Sequence, residues 1–465
     1  MEVILPPKGR DLRLDLFRGL ANWVIFIQHI PNNFVTLLLF GAGRYGFSDG
    51  ADMFVFISGY TLAFVYARMM IERGTVVTAT RIFKRAWQIY VAHVFLFVVY
   101  LVGIGYFAPK YGSAEHLDTF NVKIFLDRPA EVLYEGLILK FKPVNMDVLP
   151  LYIVLMLASP FMTWGLVRSR NITLLASIAL YLAARQFGWN LASFPEGNVW
   201  YFNPFTWQLL YVSGAWFAVG GAAVSMPFIR SRALLVFGVA YLVFAFVMAM
   251  AGRHPDIAQI FPSWLVGTFN PNDKTNLAPY RFIHFMVVAF LLVRFIPRDW
   301  PGLEWRVFKP AILCGQQSLE VFCVGVFLSF AGHFVLVEVS DTIWMQIAVS
   351  VVGVTLLTLL AWYRSWSKKA DKVPNPRSRS PSRQPTPPRG RRSQRAEATS
   401  WCRLASVGPY QLGIAWILRR RDDVDLVRPE IGGGTNAPRC RAGFAPSNTR
   451  AVSSRSSWTR SATTN

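Results

Sequence analysis

The sequence predicts an all-α, polytopic integral membrane helical bundle of about ten transmembrane helices, with both termini in the cytoplasm. Three observations predict it. Of 465 residues, 53% are hydrophobic and 16% charged, with a mean hydropathy of +0.34; soluble domains carry roughly 25% charge. Apolar segments close to the roughly 20 residues that a bilayer demands follow one another along the chain. Lys and Arg gather in alternate connections, the asymmetry that orients helices in a membrane. This composition excludes a soluble enzyme, a disulfide scaffold (there are four Cys) and a wholly disordered chain.

The predicted spans are 14–33, 52–71, 87–107, 148–167, 172–187, 205–224, 233–251, 281–297, 311–335 and 342–363. Arg18 and Asn22 interrupt the first apolar run and no small-residue cleavage site follows, so it reads as a span and not as a removable signal. Asp49 and Asp52 open the second, Asp147 precedes the fourth, and the fifth and eighth are short. Arg10 and Arg13, then Arg81, Lys84 and Arg85, then Arg168 and Arg170, Arg230 and Arg232, Arg298 and Arg306, and finally Lys368 and Lys369 fall on one side. The alternate connections are poor in cations or balanced by acids. Odd-numbered spans therefore run outward and even-numbered ones inward.

The formal charge of +22 has two sources. Residues 373–465 hold 17 Arg, no Lys and 5 acids, or +12, which leaves +10 for the rest. A membrane-embedded domain is expected over 1–366. A tail rich in Arg, Pro and Ser follows over 367–465, too polar to bury a core. It reads as disordered and cytoplasmic, or as an out-of-frame extension. No nucleic-acid partner is expected, because orientation and the tail account for the excess charge.

Ionisable groups in hydrocarbon are expensive, so each is a candidate site. Asp15, Arg18, Asn22 and His29 fall within about 60° of one another on the first helix, a single polar stripe. His29 lies about 16 Å beyond Arg18 along the axis, in the outer half. Asp15 is thus too far away to orient it. Asp49 and Asp52 enter from the second span on the same side as His29, although carboxylates there also serve as helix caps. Asp147, Asn203, Trp207, Gln208, Arg281, His284 and His333 fall on that outer side too, and Glu320 nearer mid-membrane. Cys314 and Cys323 fall on opposite helix faces, so neither a disulfide nor a metal pair follows. Walker, zinc-hydrolase and serine-hydrolase motifs do not occur.

Leu14-Asp-Leu-Phe-Arg-Gly leading to His29, Gly50-Ala-Asp-Met-Phe-Val-Phe-Ile-Ser-Gly-Tyr60 and Phe83-Lys-Arg-Ala-Trp-Gln-Ile-Tyr90 resemble the membrane-bound acyltransferase-3 superfamily. Asp147-Val-Leu-Pro-Leu-Tyr152 and Phe202-Asn-Pro-Phe-Thr-Trp-Gln208 look like its OpgC branch, which succinylates osmoregulated periplasmic glucans in Gram-negative bacteria. The resemblance covers roughly residues 10–365. Gln88 stands where many superfamily members carry a second Arg.

This resemblance implies a multi-pass enzyme of the bacterial inner membrane. It would move an acyl group from a cytoplasmic acyl-CoA, succinyl-CoA foremost, to hydroxyls of a periplasmic glucan. His29 matches the superfamily His and is expected to act as general base, with Asp49 or Asp52 holding its tautomer. Asp15, Arg18, Ser58, Arg85, Asp147, Arg281, His284 and Glu320 are the expected substrate-binding residues. A succinyl carboxylate would need a cation, which Arg18, Arg281 or protonated His284 could supply. No resident cofactor or metal is expected, and membrane lipid is a partner. Two rivals remain: an O-acetyltransferase acting on another envelope glycan such as lipopolysaccharide, and a proton-coupled transporter using His29, Asp52 and Glu320 as a relay.

Overall fold

The computed structural model describes residues 9–31, 33–35, 46–110 and 122–371. The expected tail lies outside them from residue 372 onward. The helices are α1 (Leu12–Gln28), α2 (Gly50–Arg73), α3 (Thr75–Lys110), α4 (Lys123–Asp127), α5 (Pro129–Leu137) and α6 (Val148–Phe187). A two-stranded antiparallel hairpin, β1 (Ala192–Ser193) and β2 (Asn198–Val199), precedes α7 (Pro204–Trp216). A π-helical turn over Phe217–Gly221 leads into α8 (Ala222–Arg230), then α9 (Arg232–Ala251), α10 (Pro255–Ala258), α11 (Ser263–Phe269) and α12 (Pro279–Phe295). The last three are α13 (Lys309–Gln316), α14 (Ser318–Glu338) and α15 (Ile343–Ala370).

Among the described residues, seven helical stretches are long and apolar enough to cross a membrane. The expected segments 14–33 and 281–297 do form helices, α1 and α12. Each has 17 residues, and about 26 Å of rise falls short of a hydrocarbon core of about 30 Å. Segments 148–167 and 172–187 share α6, whose helical dihedrals fail at Ser169. There the chain folds back, so that a Cβ on Gly165 would lie 2.6 Å from Thr173 Oγ1.

Two boundaries differ from those expected, each for a local reason. Gly74, at φ +85°, separates α2 from α3, so α3 starts at Thr75. Arg81, Lys84 and Arg85 are therefore helical residues rather than members of a connection. The ninth segment breaks at Gln317 (φ −116°, ψ 34°), which puts Glu320 in the first turn of α14. Glu320 pairs there with Arg364 and Lys368 of α15. Its neighbours are thus the cations ending the last helix.

Glycines let the central helices touch backbone to backbone, the usual device of membrane bundles. A Cβ on Gly19 would lie 1.7 Å from the Ala311 carbonyl, and one on Gly315 1.8 Å from that of Asp15, which locks α1 against α13. Gly59 meets the Tyr211 carbonyl and Gly214 that of Phe56 in the same way, joining α2 to α7. The Ser58-Gly59-Tyr60 sequence thus has a packing explanation.

Candidate active site

Two cavities lie along the α1–α2–α6 core. The larger, about 680 Å³, lies where α1 ends and α2 and α6 begin, here termed the His29 end. His29, Asp49, Asp147, Lys142, Asn145 and Lys274 supply its polar lining, and Phe194, Tyr201 and Phe202 part of its apolar wall. The smaller, about 200 Å³, lies toward the other end and holds Arg18, Ser58, Arg85 and Tyr152. The expected site residues His29, Asp49 and Asp147 thus come together in one cavity, and Arg18, Ser58 and Arg85 in the other.

His29 is the C-cap residue of α1. Its backbone carbonyl accepts from Asn145 Nδ2 at 3.0 Å, and its Nδ1 is buried without a hydrogen-bond partner. Neither Asp49 nor Asp52 bonds the ring. Asp49 instead accepts from Ala51 N at 2.9 Å, lies 2.7 Å from Lys274 Nζ and 3.0 Å from Arg281. Burial pushes its carboxyl up, but Lys274 and Arg281 outweigh that and hold it well below the usual carboxylate range. Asp49 therefore stands ionised at the cavity wall. Asp52 accepts from Asp49 N at 2.8 Å, completing a capping box, and is fully buried against Arg281. It does not line the cavity.

Asp147 sits just before α6, where its side chain makes no cap hydrogen bond. Burial pushes its carboxyl up to about 6, with Lys142 pulling the other way. Burial likewise pushes the Lys142 ammonium down to about 8. Lys142 donates to the carbonyls of Leu139 and Lys140 at 3.1 and 3.2 Å, and its Nζ stands 4.2 Å from the centre of the Trp200 ring. The hairpin is tied down over the cavity, because Lys140 O accepts from Phe194 N and Ser193 Oγ.

Lys142, Asn145 and Lys274 were not expected in the site. All three lie on connections without helical periodicity. One signal was present in the sequence: Asn203, Trp207 and Gln208 stood out as polar residues of the outer side, and they build the frame. Asn203 caps α7 through Phe205 N and binds Trp189 O and Asn276 Oδ1. Trp207 Nε1 donates to Lys274 O at 3.1 Å, which presents the Lys274 side chain to Asp49. Gln208 bonds Ser177.

In the smaller cavity, Arg18 donates to Thr61 Oγ1 at 2.8 Å and points at Ile57 O. Among the described residues, no carboxylate pairs with it; Asp15, 5% exposed, is taken by Arg10. Arg85 donates to Gln88 Oε1 at 3.2 Å. The remaining expected residues lie elsewhere. Arg281, 2% exposed, is spent on Asp52, Asp49 and Phe47 O. His284 Nδ1 bonds Ser48 Oγ at 2.7 Å and faces a separate apolar groove of about 290 Å³. Glu320 stays with Arg364.

The arrangement supplies an imidazole, carboxylates and ammonium groups around one cavity, with the Arg18 and Arg85 guanidinium groups lining the other. Such a set can deprotonate an alcohol and neutralise developing charge. A family model described as OpgC protein matches residues 10–369. No curated protein matches the chain.

Proposed function

The chain belongs to the OpgC family, and on that premise we propose that it is a membrane acyltransferase moving a succinyl group from succinyl-CoA to hydroxyls of periplasmic glucans. One observation carries the reading: His29, Asp49 and Lys274 line a wide cavity at one end of α1, and Arg18 and Arg85 line a narrow one toward the other end. A reaction joining a donor from one compartment to an acceptor in another needs two such chambers. We place the Arg18 end in the cytoplasm and the His29 end in the periplasm of the bacterial inner membrane, with ten spans. The cation-rich connections support that orientation.

The glucan enters the wide cavity, where Tyr201 and Phe202 offer rings to a sugar face. His29 takes the proton of an acceptor hydroxyl as its oxygen attacks the thioester carbonyl. The carbon–sulfur bond then breaks, and the departing thiolate recovers the proton from the imidazolium. Asp49 lines the same cavity as the ring without a direct hydrogen bond to it. Arg18, which pairs with no carboxylate among the described residues, takes an anionic group of the donor.

Acetyl transfer to another envelope glycan draws support from one observation. Arg281 and His284 are both engaged, which leaves fewer cations for a succinyl carboxylate. A proton relay for transport fares worse, because Asp52 and Glu320 are each ion-paired away from His29. Mass spectrometry of periplasmic glucans from a deletion strain, complemented with wild type or His29→Ala, tests the proposal. Succinyl groups restored by wild type alone support it. Unchanged glucans with altered lipopolysaccharide acylation would move the assignment to the rival.

A further inference from the structure

Asn22 has a chemical peculiarity that the reading above leaves unused. Its side chain is 2% exposed, and neither its Nδ2 nor its Oδ1 has a hydrogen-bond partner. Protein interiors rarely leave a primary amide in that condition, and one in a membrane bundle has no bulk water to turn to. Leu would fill the same space without that penalty.

Its position gives the amide a use. Arg18 lines the narrow cavity, while Ile25 and His29 line the wide one. At 100° per residue these three and Asn22 share one face of α1, so Asn22 lies on the strip between the chambers while lining neither. The other walls show how thin the division is. Along α2, Ala51 faces the wide cavity and Phe54, less than one turn on, faces the narrow one. Along α6, the consecutive residues Val148 and Leu149 divide in the same way. Phe54 packs on Tyr152 and Phe322, with ring centroids 6.4 and 6.1 Å apart, and all three rings line the narrow cavity.

We propose that Asn22 is a binding residue for the arm of the acyl donor where that arm crosses from the narrow cavity to the wide one. A side-chain amide carries one acceptor and two donors. It therefore complements a secondary amide, which offers one of each, and a donor arm of the pantetheine class carries two such amides. The inference rests on the acyltransferase reading and adds the recognition of the donor's arm, as distinct from its acyl group or its phosphates.

The test uses the purified full-length protein with a glucan acceptor and follows thiol release. Two donors are compared: succinyl-CoA, and the succinyl thioester of a plain alkane thiol that lacks amides. Asn22→Leu should raise KM for succinyl-CoA about tenfold, the worth of one to two hydrogen bonds. It should leave the alkane-thiol donor unchanged and should not lower Tm. Asn22→Gln, which keeps the amide, should retain most of the wild-type preference for the amide-bearing donor. Equal effects on both donors, an unchanged KM, or a lowered Tm in Asn22→Leu would overturn the inference while leaving the enzyme an acyltransferase. Wild type that releases thiol from neither succinyl-CoA nor acetyl-CoA would overturn the acyltransferase reading itself.

Discussion

Arg281 of α12 grips Asp52 of α2 from two directions, its Nε donating to Oδ1 at 3.1 Å and its Nη2 to Oδ2, with both side chains almost wholly buried. A third contact from Nη1 to Phe47 O, 2.7 Å, fixes the segment leading into α2. Breaking one partner of a buried pair strands the other and costs about 3–5 kcal/mol. Asp52→Asn and Arg281→Gln should each lower the Tm of the detergent-solubilised protein. The double variant should be less damaged than the two single losses combined. Additive losses would show that the pair contributes nothing as a unit.

Gly59 and Gly214 make a second prediction. A Cβ on Gly59 would come within 1.9 Å of the Tyr211 carbonyl, which is backbone and cannot swing aside. Gly59→Val should therefore push α2 from α7, with a loss of about 1–3 kcal/mol or more. Tm and yield of folded protein measure it. Gly103, where an added Cβ meets nothing within 4 Å, is the matched control.

The wide cavity should impose its own pH dependence. Asp147 is ionised above about 6 and Lys142 protonated below about 8, so both charges are present only between those limits. The transfer rate should rise through the first and fall through the second. Asp147→Asn should displace the acid limb, and Lys142→Met the alkaline one. Stability gives the sign independently. The folded pKa of Asp147 lies above the 3.8 of an unperturbed Asp. Its favourable contribution is thus complete at low pH and lost as pH rises through about 6. Asp147→Asn should raise Tm near pH 8 and leave it unchanged below about pH 4.

Much of the helical architecture was legible because apolar runs record it directly, and the stripe on α1 was legible because helical period places Arg18, Asn22 and His29 on one face. Tertiary placement was not. Asn145 reaches the His29 carbonyl across 116 residues of sequence, and no local pattern announces such a contact. Lys274 lies on a connection with no local pattern to single it out, and the Trp207 anchor presents it to Asp49. The break at Gln317, which sets Glu320 in the first turn of α14 beside Arg364, was not anticipated in the apolar run 311–335. Asp49 and Asp52 were expected to hold the His29 ring; Asp49 does line its cavity, but its oxygens go to the helix cap, Lys274 and Arg281, and Asp52 is taken by Arg281.

Removal of the segment after Lys372 should leave acyl transfer intact, because the family match ends at residue 369. Transfer by membranes carrying the truncated protein checks this. A loss of activity at unchanged protein level would assign that segment a function.

His29 is the centre of the account, and the most direct test is single-turnover acyl transfer to a glucan by purified His29→Gln. Gln keeps the polarity and approximate size of the ring but cannot take up a proton at neutral pH. The account predicts a rate reduced about 100- to 10,000-fold, the usual worth of a general base, with Tm and donor KM close to wild type. Transfer at the wild-type rate would contradict it.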